Sequence, residues 1–315
     1  MISRRYLRTK VMQAIFAHEM NRQEDIRMGE KKLTRSIEDF YVLFLYFFSL
    51  IPQLKFYREK KMEDAKEKIN PSFLDLNPNT KFIDNQIFKI IEEHPALNRK
   101  FNEHNIHWHD TTDLIAHLYK EVIELNEYQL YMDNNERSFQ EDKQLLLTII
   151  EKVFAPNQLL HWFLEEKNVH WFDDYNDALL AVYRNISSFK ESLGGKNKIL
   201  SLFKNKSEDI QFYQDLYLKT IQHSKEYEQL IQEKLENWEL ERVIGIDIIL
   251  LKMGICEFLE FETIPVKVTI NEYIELAKSY SSPKSGLFIN GILDKLLIDF
   301  KNKNQLRKIG RGLLN

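Results

Sequence analysis

Cysteine is almost missing from this chain: one residue, Cys256, among 315. A single thiol excludes an internal disulfide and suits a reducing compartment. Glycine and proline are scarce as well, nine and seven residues, so turn-makers are few and the chain reads as helix almost throughout. No apolar run reaches the roughly 18 residues that a bilayer-spanning helix needs. The strongest candidate, Phe40 to Leu54, is shorter and carries Pro52, which is expected to break it. The basic N-terminus has neither the apolar core nor the small-residue cleavage site of a signal peptide. Positive charge is not in excess either. The formal net charge is −4, so any nucleic-acid site has to be a local patch. These absences set the expectation of a cytoplasmic protein away from membranes.

Signatures of catalysis are missing too. There is no phosphate-cradling glycine loop, dinucleotide fingerprint or nucleophile elbow. Cys256 lies on an apolar helix face without an activating partner and reads as a small core residue. His104, His107 and His109, beside Asp110, are zinc-ligand types, yet no matching ligand set appears elsewhere. A surface turn anchored by Trp108 is the expectation. No catalytic residue, metal or cofactor is expected.

What is present is helical periodicity with clear punctuation, best seen from Trp238 to Phe300. A first helix is expected over Leu240 to Phe261, with Val243, Ile246, Ile249, Leu250, Met253 and Cys256 recurring every three to four residues. Pro265 follows it. Thr269 and Glu272 stand at capping-box spacing, so a second helix is expected to open at Thr269. A third is expected from near Pro283, with Phe288, Ile289, Ile292, Leu293, Leu296, Leu297 and Phe300 on one face. Asn290 and Gly291 are read as packing residues, since a helical glycine costs ~1 kcal/mol and close helix approach can justify it.

At the other end, SRRYLRTKVMQAIFAHEMN predicts a helix capped by Ser3, with Leu7, Val11, Ala14, Ile15 and His18 facing the core. Arg4, Arg5 and Arg8 form a stripe beside that face. Cations in a first turn oppose the helix dipole, at ~0.3–1 kcal/mol each. The same turn offers free N–H groups, which suits an anion. An arrangement poor for folding and good for phosphate points to binding; solvated basic residues at a chain end are the alternative. Lys10 joins this basic set.

Between the two ends, roughly Asn21 to Lys206, helical runs at Ile37–Leu54, Ile83–His94, Thr112–Tyr131, Lys143–Phe154 and Tyr175–Leu193 alternate with breaks at Asn70-Pro71, Asn77-Pro78 and Gly194-Gly195. An offset of 67 residues pairs Glu141-Asp142 with Glu208-Asp209, Lys152 with Lys219, Lys167 with Lys234 and Trp171 with Trp238. It also pairs the apolar Leu145 with Phe212, Ile149 with Leu216 and Val182 with Ile249. An internal repeat of two helices, a tryptophan corner and a third helix accounts for this. Chance matching among similar helices is the alternative.

The stretch IPVKVTINEYIELAKSYSSPKSGLFINGILDKL resembles the C-terminal core of the NusB transcription antitermination factors, and the likeness runs from Trp238 to Phe300 without a gap. The resemblance implies an all-α fold, NusB-like helical bundles enlarged here by an inserted helical region. It implies no enzyme. It divides the chain into 1–206, the Arg-rich helix plus the inserted region, 207–300, the core, and 301–315, a basic mobile tail. It also implies that Arg4, Arg5 and Arg8 bind a boxA-like single-stranded RNA, with Tyr6 replacing one phosphate contact by stacking. Lys284 extends the RNA surface. Phe288 is open to two readings, core packing or stacking on a base. Asp247, a helix-edge carboxylate on its own reading, is implied to face the ribosomal protein NusE. The implied setting is the transcription elongation complex. Two alternatives remain: an interaction scaffold without RNA binding, and the NusB-like domain of a ribosomal RNA methyltransferase. The latter would need a catalytic Cys and a cofactor domain, for which this sequence has no room after the bundle.

Overall fold

The computed structural model describes residues 2–21, 25–235 and 245–313; these are helical throughout, with no strand among them. They form two compact units. One comprises 38–202, the other 2–37 together with 203–315.

Helix α1 (Arg4–Met20) is followed by α2 (Ile26–Lys66), whose opening turns belong to the second unit and whose remainder forms the spine of the first. The first unit then adds α3 (Phe73–Leu76), α4 (Gln86–Glu92), α5 (Pro95–Glu103), α6 (Thr112–Glu124), α7 (Asn126–Asp133) and α8 (Phe139–Ile149). A π-type turn, Ile150–Phe154, extends α8 toward α9 (Gln158–Lys167) and α10 (Trp171–Ser187). Pro52 does not break α2, contrary to expectation. Leu50, Ile51 and Leu54 are buried on either side of it, so side-chain packing offsets the hydrogen bond that proline removes. This helix is also long and apolar enough to cross a bilayer, which no single run in the sequence had suggested. Yet 67% of its apolar window is buried inside the protein. Phe44 and Phe48 pack edge to face at 5.0 Å, and Phe47 meets Tyr175 at 5.1 Å. Trp171 donates its Nε1–H to Asp39 O at 3.0 Å, and Trp108 donates to Ser49 Oγ at 2.9 Å while stacking on Phe163. The histidines flanking Trp108 are exposed.

The second unit adds α11 (Lys206–Gln222), α12 (Ser224–Gln232), α13 (Gly245–Glu260), α14 (Val266–Tyr280) and α15 (Ser285–Asn302). Its core is α13, apolar nearly all round, which packs against α1, α11, α12, α14 and α15. Helices α8 and α11 begin 67 positions apart, at Phe139 and Lys206, and each buries an aspartate in its first turn, Asp142 and Asp209. Trp238, Val243 and the start of the helix expected from Leu240 lie outside the described residues.

Four expectations are corrected. Helix α1 belongs with the C-terminal bundle, because Leu7, Val11 and Ile15 are buried where it packs on α11 and α13. Helix α14 opens at Val266 rather than Thr269, with no capping box. Thr269 Oγ1 donates to Glu257 Oε2 at 3.1 Å, and Glu272 binds Arg5, so both supposed capping residues serve an ion network. A Cβ on Gly291 would meet nothing within 4 Å; the close helix approach is at Gly254, where a Cβ would come within 2.9 Å of Leu293 Cδ2. The C-terminal tail is docked. Lys308 Nζ donates to Glu257 O at 2.9 Å and Phe261 O at 2.8 Å, and Ile309 N donates to Glu262 O at 3.0 Å.

Candidate nucleic-acid interface

Ser3 caps α1 by accepting the Tyr6 N–H on its Oγ at 3.1 Å. Once the cap sets the helix start and Leu7, Val11 and Ile15 take the core, the arginines must leave on the flank that meets the α13–α14 turn. A pocket of about 550 Å³ lies there, within the roughly 300–1,000 Å³ usual for ligand sites. Arg4, Arg5, Arg8 and Arg311 line it, Ile264, Pro265 and Val268 form its apolar wall, and Glu272 is its carboxylate.

The arginines are not equivalent. Arg8 is buried and held by Glu257, from Nε to Oε1 at 2.6 Å and from Nη2 to Oε2 at 2.9 Å. Glu257 also accepts Tyr273 OH at 2.7 Å. Burial works against the Arg8 charge, but the charge and hydrogen bonds of Glu257 outweigh it and hold the guanidinium above its ordinary pKa. The same enclosure and the neighbouring carboxylate push the Tyr273 phenol well up. Arg8 is therefore a structural cation joining α1 to α13. Its expected phosphate contact is corrected, since no ligand can reach a side chain that is 3% exposed.

Arg5 makes a two-pronged pair with Glu272, both contacts at 2.9 Å, yet its side chain is 50% exposed. That hydrogen-bonded pairing raises its pKa despite some burial. Arg4 lies over the Phe212 ring at 4.9 Å, with Glu208 and Asp209 no nearer than 3.9 Å. Such exposed pairs are worth ~0–1 kcal/mol, so a phosphate can compete for both guanidiniums.

Other predicted residues lie elsewhere. Lys10 is buried beside the Tyr6 ring at 5.4 Å, and Tyr6 is itself buried, which withdraws its stacking role. Lys284 is exposed and Phe288 half-buried, neither in the pocket. Ser285, next to Lys284, donates to Asp247 Oδ2 at 2.7 Å, which places the start of α15 beside the N-terminal end of α13. The pocket adjoins the other end of α13, about 20 Å away at 1.5 Å per residue. Asp247 is buried and occupied by that serine, so a partner-facing role is corrected for this conformation. Sequence reasoning missed Glu257, the pairing of Glu272 with Arg5 and the placement of Arg311. One signal was available: Glu257 interrupts the apolar run from Met253 to Phe258, where a carboxylate needs a partner.

A NusB family model matches residues 177–297. The Transcription antitermination protein NusB of Salinibacter ruber is 42% identical over 103 residues, 33% of this chain and 64% of that protein. Its counterpart in Chloroherpeton thalassium is 44% identical over 95 residues, 30% of this chain and 45% of that protein. That of an Exiguobacterium species is 40% identical over 86 residues, 27% of this chain and 67% of that protein. For the first two of these relatives, the matched stretch thus spans less than two thirds of their own length. No solved structure matches the chain.

Proposed function

We propose, from the premise that the chain belongs to the NusB family, that it is a transcription antitermination factor whose α1 pocket binds single-stranded RNA. The observation that carries this is the convergence of Arg4, Arg5 and Arg311 on one pocket with an apolar wall. Guanidiniums neutralise phosphates, and their planes stack on unpaired bases. The RNA is boxA-like, NusE enlarges the gripping surface, and the complex acts on the transcription elongation complex. Lys284 and the edge of Phe288 form a second, separate contact at the start of α15. No step of this is catalytic. Assembly is the mechanism.

Binding of a boxA-like RNA by the full chain, with and without NusE at several salt concentrations, tests the reading. Three phosphate contacts give a log–log salt slope of about −2, and Arg4→Ala makes it less negative by about 0.7. A slope near zero removes the electrostatic mechanism. A second reading, an interaction scaffold, draws on the carboxylates that face every α1 arginine within 3.9 Å. It is favoured if Arg4→Ala and Arg5→Ala leave RNA affinity unchanged.

A further inference from the structure

We propose that the C-terminal segment is a working part of the α1 pocket: Arg311 supplies its third exposed guanidinium, and Lys308 is the residue that positions it. This rests on the RNA reading above and extends it to the C-terminal segment, whose basic sequence allows either solvation or an auxiliary RNA contact. Three features show that the segment follows a set path. Lys308 Nζ crosses to the last turn of α13 and donates to Glu257 O and Phe261 O, carbonyls that a helix end leaves without intrahelical partners. Ile309 N donates to Glu262 O, and the chain then turns at Gly310, whose φ of +53° suits glycine. Gly312 passes so close to the α13–α14 turn that a Cβ there would stand 1.9 Å from Glu262 O. Arg311 lies between these two glycines and lines the pocket together with Arg4 and Arg5.

The chemistry is complementary. Arg4 and Arg5 each have a carboxylate neighbour, and Arg311 comes to the same pocket from a different element. A sugar–phosphate strand in the pocket would thus be gripped by two separate parts of the chain. Burial holds the Lys308 amine down to about 8 against its ordinary value. Solvation of a loose tail would not draw an ammonium out of water in this way.

Fluorescence titration of the full chain with a short labelled single-stranded RNA tests this, comparing Arg311→Ala, Lys308→Met and Arg4→Ala with wild type. Arg311→Ala should weaken binding several-fold and make the salt slope less negative by about 0.7, while Arg311→Lys keeps the slope. Lys308→Met should reproduce both effects with Arg311 intact, and adding Arg311→Ala to it should cost nothing more. If Arg4→Ala loses affinity while Arg311→Ala and Lys308→Met bind as wild type, the tail has no part in binding and only this proposal falls. If Lys308→Met weakens binding without changing the slope, Lys308 is merely structural and the positioning role is overturned. A wild type whose weak binding is unaffected by Arg4→Ala overturns the RNA reading and this proposal together.

Discussion

Arg8 and Glu257 share two hydrogen bonds across 249 positions of sequence, at a point where the arginine side chain is 3% exposed and the glutamate 0%. Thr269 and Tyr273 donate to the same carboxylate, so α1, α13 and α14 are joined at one buried anion. The pair is a structural joint at the edge of the α1 pocket.

Removing one partner strands the other. Arg8→Ala should cost about 3–5 kcal/mol in urea unfolding, the usual consequence of leaving a buried charge alone. Combining Arg8→Met with Glu257→Gln should recover part of the loss, because the amide carbonyl still accepts from one of the two hydroxyls of Thr269 and Tyr273 while its NH2 donates to the other. Where Arg8→Ala remains folded, its RNA salt slope should match wild type. A slope less negative by one phosphate would restore Arg8 to the interface.

If the α1 pocket takes RNA as proposed, Glu272 competes with it for Arg5. Replacing it as Glu272→Gln should tighten RNA binding by about two- to five-fold, since an exposed pair of this type is worth ~0–1 kcal/mol. Weaker binding in that variant would show that the carboxylate orients Arg5 productively instead of occupying it.

The sequence made some of this legible and concealed the rest. Ser3 as a cap, the buried stripe of α1 and the breaks at Pro71, Pro78 and Gly194 follow from local chemistry, and local chemistry is what periodicity and turn residues report. Pro52 misled because its cost is local whereas the packing of Leu50 and Leu54 that offsets it is tertiary. Thr269 and Glu272 misled for a similar reason. Their spacing fits a cap, but Arg5 and Glu257 arrive from distant positions and claim them. Arg8 looked like its neighbours Arg4 and Arg5 because nothing near it in sequence marks the glutamate that buries it.

The lone thiol should be inert. Cys256 is fully buried, and desolvation pushes its pKa up to about 12. Native protein at pH 8 should show almost no reaction with a disulfide reagent, with one equivalent appearing on denaturation. Rapid labelling of the native chain would mean that α13 opens readily.

Lys308 gives the tail a pH signature. Its folded-state pKa, about 8, lies below the unfolded value of about 10.5, so between these limits the unfolded chain binds more protons and stability rises with pH. The Lys308 contribution is complete above about pH 10.5 and lost as pH falls through about 8. In paired denaturation curves, wild type should therefore gain on Lys308→Met as pH is raised from 8 to 10.5. A gap that stays constant would mean that the amine is as well hydrated as in the unfolded chain.

The great sequence distance within the Arg8–Glu257 joint bears on how the protein is made. At about 5–20 residues per second of synthesis, the first helix leaves the ribosome some tens of seconds before the glutamate that will neutralise it. Throughout that interval the nascent chain presents Leu7, Val11 and Ile15 bare beside uncompensated guanidiniums, while the intervening segment has time to fold ahead of it. Of the three helices that meet at this joint, the one made first waits longest to find its place.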